Sequence, residues 1–281
     1  HLQQNQQMTY DKLILATGSK SNFMDWPGIN LKGVQGLYNI QDLENMEAYT
    51  KDAEKGIIVG GGLIGIEMAE MLHTRGIPTS MFVREQSFWD HMLPPEESEM
   101  VNREIRDHHV DLQLSTELQE IKGDSDDRVQ SIVTKDGREF PTHFLGITIG
   151  VHPNLDCLKD TSIDTGKGIQ VNNYLETNIP DVLAGGDCAE LVEPKPGRRP
   201  IEPIWYTGKM MGEVLANNAV SDNKVEYDPG IWYNSAKFFT IEYQVYGSIK
   251  PQLPENEETI YWEHPNGKKS IRINYDRATR A

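Results

Sequence analysis

The sequence predicts an α/β fold with a parallel sheet and an added antiparallel part, and three observations lead to that prediction. An apolar run at 56–59 is followed by a glycine-rich turn and then by a segment with helical apolar spacing. A second apolar run at 79–83 completes a strand, helix, strand order, which is typical of a parallel unit. Apolar residues then alternate in 129–149 and again after residue 238, as they do in antiparallel strands.

The composition is that of a folded, acidic protein. The 281 residues are 37% hydrophobic, which suffices for two compact domains, and the net charge of −16 disfavours nonspecific binding to nucleic acid or anionic lipid. There is neither an apolar run of about 18 residues nor a secretory leader at His1, so no membrane span and a cytoplasmic location are expected. Cys157 and Cys188 form no CxxC pair, so any redox chemistry would need a cofactor.

The N-terminal half has a clear order of elements. Leu13 to Ala16 is an apolar run that ends at Thr17-Gly18, which predicts a buried strand. The following predicted elements are a helix at 42–49, a strand at 56–59, a helix that ends near Gly76, a strand at 79–83 and a helix at 96–109.

The second half changes character. A β-hairpin around the Asp136-Gly137 turn leads into a strand at 144–149, and together they predict a meander added to the parallel unit. Further predicted elements are a strand at 181–184 before Gly185-Gly186-Asp187, a helix at 206–219, an alternating segment through Phe239, Ile241, Tyr243 and Val245, and a hairpin around Pro265-Asn266-Gly267. We expect the last domain to be incomplete, because the chain stops soon after that hairpin.

The glycine-rich turn indicates a dinucleotide site. In Gly60-Gly61-Gly62-Leu63-Ile64-Gly65, Gly60 permits a tight turn, Gly62 lets the backbone approach a pyrophosphate, and Gly65 lets helix and strand pack closely. The backbone N–H groups at the helix start, including those of Leu63 and Ile64, would face the phosphates. A flexible glycine turn without a ligand is the alternative.

Four sequence motifs, taken in their order along the chain, resemble those of a known protein family. They are Tyr10 to Ser19, the turn at Gly60, Gly150-Val151-His152-Pro153-Asn154, and Leu183 to Asp187. With them, the chain from Tyr10 to about Ala219 resembles the pyridine nucleotide-disulfide oxidoreductases, which have the glutathione reductase-like two-dinucleotide fold. The first FAD-binding unit of that family, which should precede Tyr10, is absent, so we expect a chain truncated at both ends.

The resemblance implies a specific architecture. It is an α/β protein with a Rossmann-like NAD(P) domain, which carries the β-meander and is inserted into a partial FAD domain, plus a partial C-terminal β-rich interface domain. The implied boundaries are 1–45 for the second part of the FAD domain, 46–150 for the NAD(P) domain, 151–222 for the rest of the FAD domain, and 223–281 for the start of the interface domain.

The resemblance also implies roles for residues near FAD. Asp187 would accept a hydrogen bond from the ribityl chain, with Gly186 in the same turn and backbone donors from Cys188 and Ala189; an Asp helix cap is the alternative. Thr17 and Gly18 would pass close to the flavin, and Gly150 is included among the cofactor-binding residues. Trp205 opens a helix that would point to the flavin, unless it only packs in the core.

Two residues bear on the nicotinamide nucleotide. The resemblance places the Glu67 carboxylate near the nicotinamide, and a favourable charge on the helix dipole is the competing account. Arg84 follows the second strand, where many NADH users of the family have Glu, so tolerance of and a preference for NADPH are expected. Glu85 weakens that argument, and Arg84 is otherwise a surface charge.

The implied function is that of an FAD-dependent NAD(P)H oxidoreductase, in which hydride passes to flavin and then to an unidentified acceptor. No catalytic side chain is assigned, because hydride transfer needs stacked rings more than an acid or base. A small redox protein is one candidate acceptor, with the basic loop 195–200 as a docking surface or simply a solvated loop. No metal site is expected, and the family is compatible with a homodimer of the whole protein. The alternative is a nucleotide-binding sensor or partner-binding module without turnover.

Overall fold

The computed structural model describes residues 7–247 and 250–280. Its strands, in chain order, are β1 (Leu13–Leu15), β2 (Ser19–Ser21), β3 (Val34–Gln35), β4 (Gly56–Val59), β5 (Thr79–Phe82), β6 (Asp111–Gln113), β7 (Leu118–Gly123), β8 (Val129–Thr134), β9 (Glu139–Pro141), β10 (Phe144–Ile147), β11 (Val151–Pro153), β12 (Ile169–Val171), β13 (Val182–Ala184), β14 (Ala189–Leu191), β15 (Tyr233–Phe238), β16 (Ile241–Tyr246), β17 (Glu257–Glu263) and β18 (Ser270–Asp276). Its α-helices are α1 (Ile40–Thr50), α2 (Leu63–Thr74), α3 (Pro95–Asp107) and α4 (Trp205–Val220), and short 3-10 turns lie at Asp156–Leu158 and Gly186–Cys188.

The chain divides into two compact units. Unit 1 takes the described residues up to Lys20 together with Val151–Asn234, and unit 2 takes Ser21–Gly150 together with the described residues from Ser235 onward. The four domain boundaries expected from the sequence stay a prediction.

Unit 2 is built on a five-stranded parallel sheet in the order β3-β10-β4-β5-β6. β4, β5 and β10 are buried along their whole length, as expected for strands covered on both faces. Helix α2 connects β4 to β5 and buries its apolar side, including Ile66 and Leu72, in the core. The predicted parallel α/β unit is confirmed, with α2 ending at Thr74 just before Gly76, which has a φ of +72°.

The predicted meander is a three-stranded antiparallel sheet in the order β7-β8-β9. Gly137 turns the chain between β8 and β9 with a φ of +84°. Strand β7 was not predicted, because Leu118–Gly123 is largely polar and its pairing with β8 is irregular.

The C-terminal hairpins β15-β16 and β17-β18 complete unit 2. Phe238 packs into the same core as α2 and α3, with its ring 6.0 Å from that of Phe88. The predicted alternation starting at Phe239 is wrong at its first residue. Phe239 lies in the turn with a φ of +52°, and its ring stacks on His108 at 4.5 Å instead of continuing a strand.

Unit 1 combines short parallel pairs with one long helix. β1 pairs with β13 in the register Leu13↔Val182, and β12 pairs with β14. Helix α4 buries Met211 and Leu215 in a core that also contains Ala184 and Tyr227. Because β1 and β13 are parallel, the residues that follow them leave the pair at the same end.

Candidate functional site

The glycine turn of unit 2 joins the end of β4 to the start of α2. Gly60 has a φ of +129°, which favours glycine, and its N–H donates to Phe82 O at 3.0 Å. Gly62 is the N-cap of α2, and the first bond within the helix runs from Ile66 N–H to Gly62 O at 3.2 Å. The N–H groups that precede Ile66, including those of Leu63 and Ile64, thus belong to the first helical turn, which lacks acceptors inside the helix.

The surroundings of these glycines differ in an informative way. A Cβ on Gly60 would lie 2.3 Å from Thr148 O, and one on Gly65 would lie 2.8 Å from both Gly60 O and Thr148 Oγ1. A Cβ on Gly62 would meet nothing within 4 Å. Gly60 and Gly65 are therefore required by packing within the protein, whereas Gly62 faces open space at the start of a helix, where a phosphate would bind.

Thr148 contacts the glycine turn, and the sequence reasoning missed it. It follows β10, and it donates from its backbone N–H and from Oγ1 to Val59 O at 2.8 and 3.1 Å. Only the strand order β10-β4 brings Thr148 to the glycine turn, so local sequence gave no signal for it.

Glu67 lies on α2 beyond the first turn, which contains no acidic residue. The helix dipole acts mainly on the first turn, so this account of Glu67 loses weight. Although the side chain is exposed, the surrounding protein removes enough water to raise the pKa of Glu67, and the Glu70 carboxylate raises it further.

The segment after β5 places Val83 in the core and Arg84 outside. The Arg84 side chain is 75% exposed, and its Nε donates to Glu85 Oε1 at 2.6 Å. Within the described part of the chain, the other guanidinium nitrogens of Arg84 make no hydrogen bond. The guanidinium is therefore oriented by Glu85 while it keeps donors for an incoming anion.

In unit 1, two of the sequence motifs are joined by hydrogen bonds. Thr17 Oγ1 donates to Asn154 O at 2.7 Å, and Asn154 N–H donates to Gly18 O at 2.8 Å. Gly18 has a φ of +68°, so its conformation favours glycine. Asn154 thus fixes the end of the β1 segment. Gly150, in unit 2, has a φ of +97° and accepts from Asn22 N–H at 2.9 Å.

The turn that contains Asp187 follows β13. Asp187 lies inside the 3-10 turn Gly186–Cys188, whose N-cap is Gly185, so Asp187 is not the cap residue. Gly186 has a φ of +76°, and a Cβ there would meet nothing within 4 Å. Ala189 N–H closes the turn by donating to Gly186 O, and Cys188 is buried with its Sγ 3.4 Å from Gly185 O. Asp187 is half-buried, and the N–H of Ala189 is engaged within the turn.

Trp205 is the first residue of α4 and is 71% exposed. Its ring is close to Tyr206, at 5.2 Å, and to Lys209 Nζ, at 5.9 Å. Core packing does not account for such an exposed tryptophan, and the contact of Trp205 with the flavin stays a prediction.

The basic loop at 195–200 offers less positive charge to a partner than its sequence suggests. Arg198 and Glu202 form an ion pair whose side chains are 7% and 8% exposed, and Arg198 Nη1 also donates to Pro229 O at 3.0 Å. Arg198 therefore holds the loop together and offers little charge to a partner.

Two classes of site are not found among residues 7–247 and 250–280. No helix there is both long and apolar enough for a bilayer crossing. The same residues contain no group of three His, Cys, Asp or Glu side chains arranged for a metal ion.

Comparisons with known proteins agree with this geometry. A family model described as pyridine nucleotide-disulphide oxidoreductase matches residues 1–220. The chain is 33% identical over 181 residues to the nitrite reductase [NAD(P)H] of Bacillus subtilis, covering 64% of this chain and 22% of that protein. It is also 33% identical over 183 residues to the 5,5'-dehydrodivanillate O-demethylase ferredoxin reductase subunit of Sphingobium sp., covering 65% of this chain and 44% of that subunit. The chain thus spans less than half the length of these two relatives.

Among solved structures, the chain is similar to an FAD-dependent pyridine nucleotide-disulphide oxidoreductase from Desulfovibrio vulgaris. The TM-score is 0.80 at 25% identity, with 97% of this chain and 69% of that chain covered. The similarity in fold extends over both units of the chain.

Proposed function

The chain belongs to the pyridine nucleotide-disulphide oxidoreductase family, and from that membership we propose that the whole protein is an FAD-dependent NAD(P)H oxidoreductase. When bound, FAD accepts hydride from the nicotinamide and passes electrons to an acceptor. The residues of this chain bind the two cofactors and orient them.

The observation that carries the proposal is the open space at Gly62. The two flanking glycines are fixed by contacts with Thr148 and the β4 segment, whereas the N-cap glycine of α2 leaves room outside the protein. Backbone N–H groups of a first helical turn and an uncrowded N-cap together suit a pyrophosphate, so this turn would hold NAD(P)H.

The FAD-facing residues would come from unit 1. Asp187, in its turn after β13, would accept a hydrogen bond from the ribityl chain, and Thr17 and Gly18 would border the flavin. Trp205 would contribute an exposed ring at the N-terminus of α4. None of these groups has to donate or remove a proton for hydride transfer, so we assign no catalytic side chain in this chain.

We propose that the nucleotide-binding residues prefer NADPH. Arg84 keeps guanidinium donors after the end of β5, where they could meet a 2′-phosphate. The pairing with Glu85 partly neutralises Arg84, so NADH would still bind.

The acceptor is left open by family membership. The two curated relatives are named for nitrite, which is a small ion, and for ferredoxin, which is a protein. Docking of a small redox protein, if it occurs, would use a surface other than the loop held by Arg198. A cytoplasmic location and a homodimer of the whole protein stay part of this proposal.

The visible absorption spectrum of the purified whole protein tests the proposal. Oxidised flavin bands, or their appearance after reconstitution with FAD, would support an oxidoreductase. A colourless protein that binds NADPH but not FAD would instead support the nucleotide-binding module without turnover.

A further inference from the structure

Unit 1 contains a hollow of about 340 Å³ that none of the proposed cofactor contacts uses. It lies between β2, strand β11, the 3-10 turn after β11 and the loop that follows. The residues that line it are Lys20, His152, Pro153, Leu155, Asp156, Leu158, Lys159, Thr161, Ile163, Thr165 and Lys167. Its volume is that of a small-ligand site.

The charge of this hollow is opposite to that of the chain. Three lysines line it against one carboxylate, Asp156, although the chain as a whole carries a net charge of −16. Lys20 and Lys159 both contact Asp156, the latter at 3.2 Å, so one carboxylate is shared by two ammonium groups. Lys167 has no acidic partner among the described residues. The hollow therefore keeps a positive charge that its own residues do not compensate.

The floor of the hollow is apolar and firmly held. Leu158 is 6% exposed and belongs to the core of unit 1, and Leu155 and Ile163 pack against that core. A ligand with an apolar or planar part would cover these side chains while its anionic end meets the lysines.

We propose that this hollow binds a small organic anion that carries a phosphate group. Ammonium groups act as point charges toward phosphate and do not require the flat, two-oxygen geometry of a carboxylate. In this proposal the phosphate oxygens would face Lys159 and Lys167, and they would compete with Asp156 for Lys20. All residues that line the hollow belong to unit 1, and the inference does not rest on the proposed function.

Isothermal titration of the intact protein with phenyl phosphate tests this site. We expect the double variant Lys159→Ala/Lys167→Ala to bind about tenfold more weakly, since it removes two exposed charge contacts with the phosphate. Asp156→Asn should bind about threefold more tightly, because it removes the competing carboxylate. Structural damage would not produce tighter binding.

Lys135→Ala is the matched control, because it removes another exposed lysine, whose partner is Glu117 in unit 2. The proposal is overturned if phenyl phosphate shows no saturable binding, or if the double variant binds it as the unchanged protein does. If inorganic phosphate binds as tightly as phenyl phosphate, the apolar floor does not contribute to binding, and the proposal of an organic ligand is overturned.

Discussion

Gly65 on α2 and Thr148 after β10 lie so close together that a Cβ on Gly65 would stand 2.8 Å from Thr148 Oγ1. The same Cβ would stand 2.8 Å from Gly60 O. Only glycine therefore fits between α2 and the end of β10 at this position, and this requirement does not depend on any ligand.

Gly65→Ala should therefore destabilise unit 2. Overpacking of this kind costs about 1–3 kcal/mol, and part of the cost falls on the carbonyl of Gly60, which cannot move without disturbing the turn. Urea unfolding measures the loss. Gly62→Ala is the matched control, because its Cβ meets nothing within 4 Å, and it should change the unfolding free energy by less than about 0.5 kcal/mol. Equal losses in both variants would contradict the packing account.

Arg84→Ala should weaken NADPH binding more than NADH binding. Loss of a charge-assisted contact with a 2′-phosphate corresponds to about tenfold in affinity, whereas NADH has no such group. Fluorescence titration with both nucleotides measures the ratio. Arg277→Ala is a suitable control, because it also removes an exposed arginine paired with a glutamate, Glu258, at 3.4 Å. Equal losses for NADPH and NADH in Arg84→Ala would remove the role of Arg84 in selectivity.

Arg198→Ala should destabilise unit 1 strongly. It would leave the nearly buried Glu202 carboxylate without its ion-pair partner, and breaking such a pair costs about 3–5 kcal/mol. Thermal unfolding should show the loss, whereas Lys195→Ala, which removes an exposed lysine 3.9 Å from Glu226, should have little effect. If Arg198→Ala is as stable as the unchanged protein, the ion pair does not hold the loop, and the loop is only a solvated surface segment.

Glu104 should make the stability of unit 2 depend on pH. Burial alone would raise its pKa, but the hydrogen bonds from Thr240 and the ion pair with Lys268 outweigh burial, so the pKa of Glu104 lies below its ordinary value of 4.5. A lowered pKa in the folded state stabilises the fold fully above 4.5, and this contribution is lost as the pH falls through the folded pKa.

Glu104→Gln should therefore be less stable at neutral pH, and its unfolding free energy should change less between about pH 5 and pH 3. Asp107→Asn is the control. That carboxylate is 60% exposed, and its Oδ2 lies 3.7 Å from Lys268 Nζ, farther than the 3.1 Å of Glu104 Oε2. An unchanged acid dependence in Glu104→Gln would show that other carboxylates determine it.

Much of the fold could be predicted because it is encoded locally. The glycine turn, the apolar spacing of α2 and the Asp136-Gly137 turn act over a few residues, so the bounds of these elements agree with the structure to within about two residues. Strand β7 was missed because its burial comes from its partner β8 and not from its own alternation.

The contacts made over long sequence distances could not be predicted. Thr148 reaches the glycine turn only through the sheet order, and Arg272 of β18 pairs with Glu96 and Glu97 across more than 170 residues. The charge of the basic loop favours docking of a partner, but the ion pair with Glu202 neutralises Arg198. Sequence patterns identify which residues carry chemistry but not which neighbours neutralise them.

The most direct test is an anaerobic titration of the whole protein with NADPH, followed by the bleaching of flavin absorption, in the unchanged protein and in Gly62→Ala. We expect NADPH to bleach the flavin of the unchanged protein. Gly62→Ala should retain its flavin and its thermal stability, but should need about tenfold more NADPH, because the new methyl group occupies the space of the pyrophosphate. A protein that cannot be reconstituted with FAD, or a Gly62→Ala variant that is bleached at the same NADPH concentration, would contradict the account.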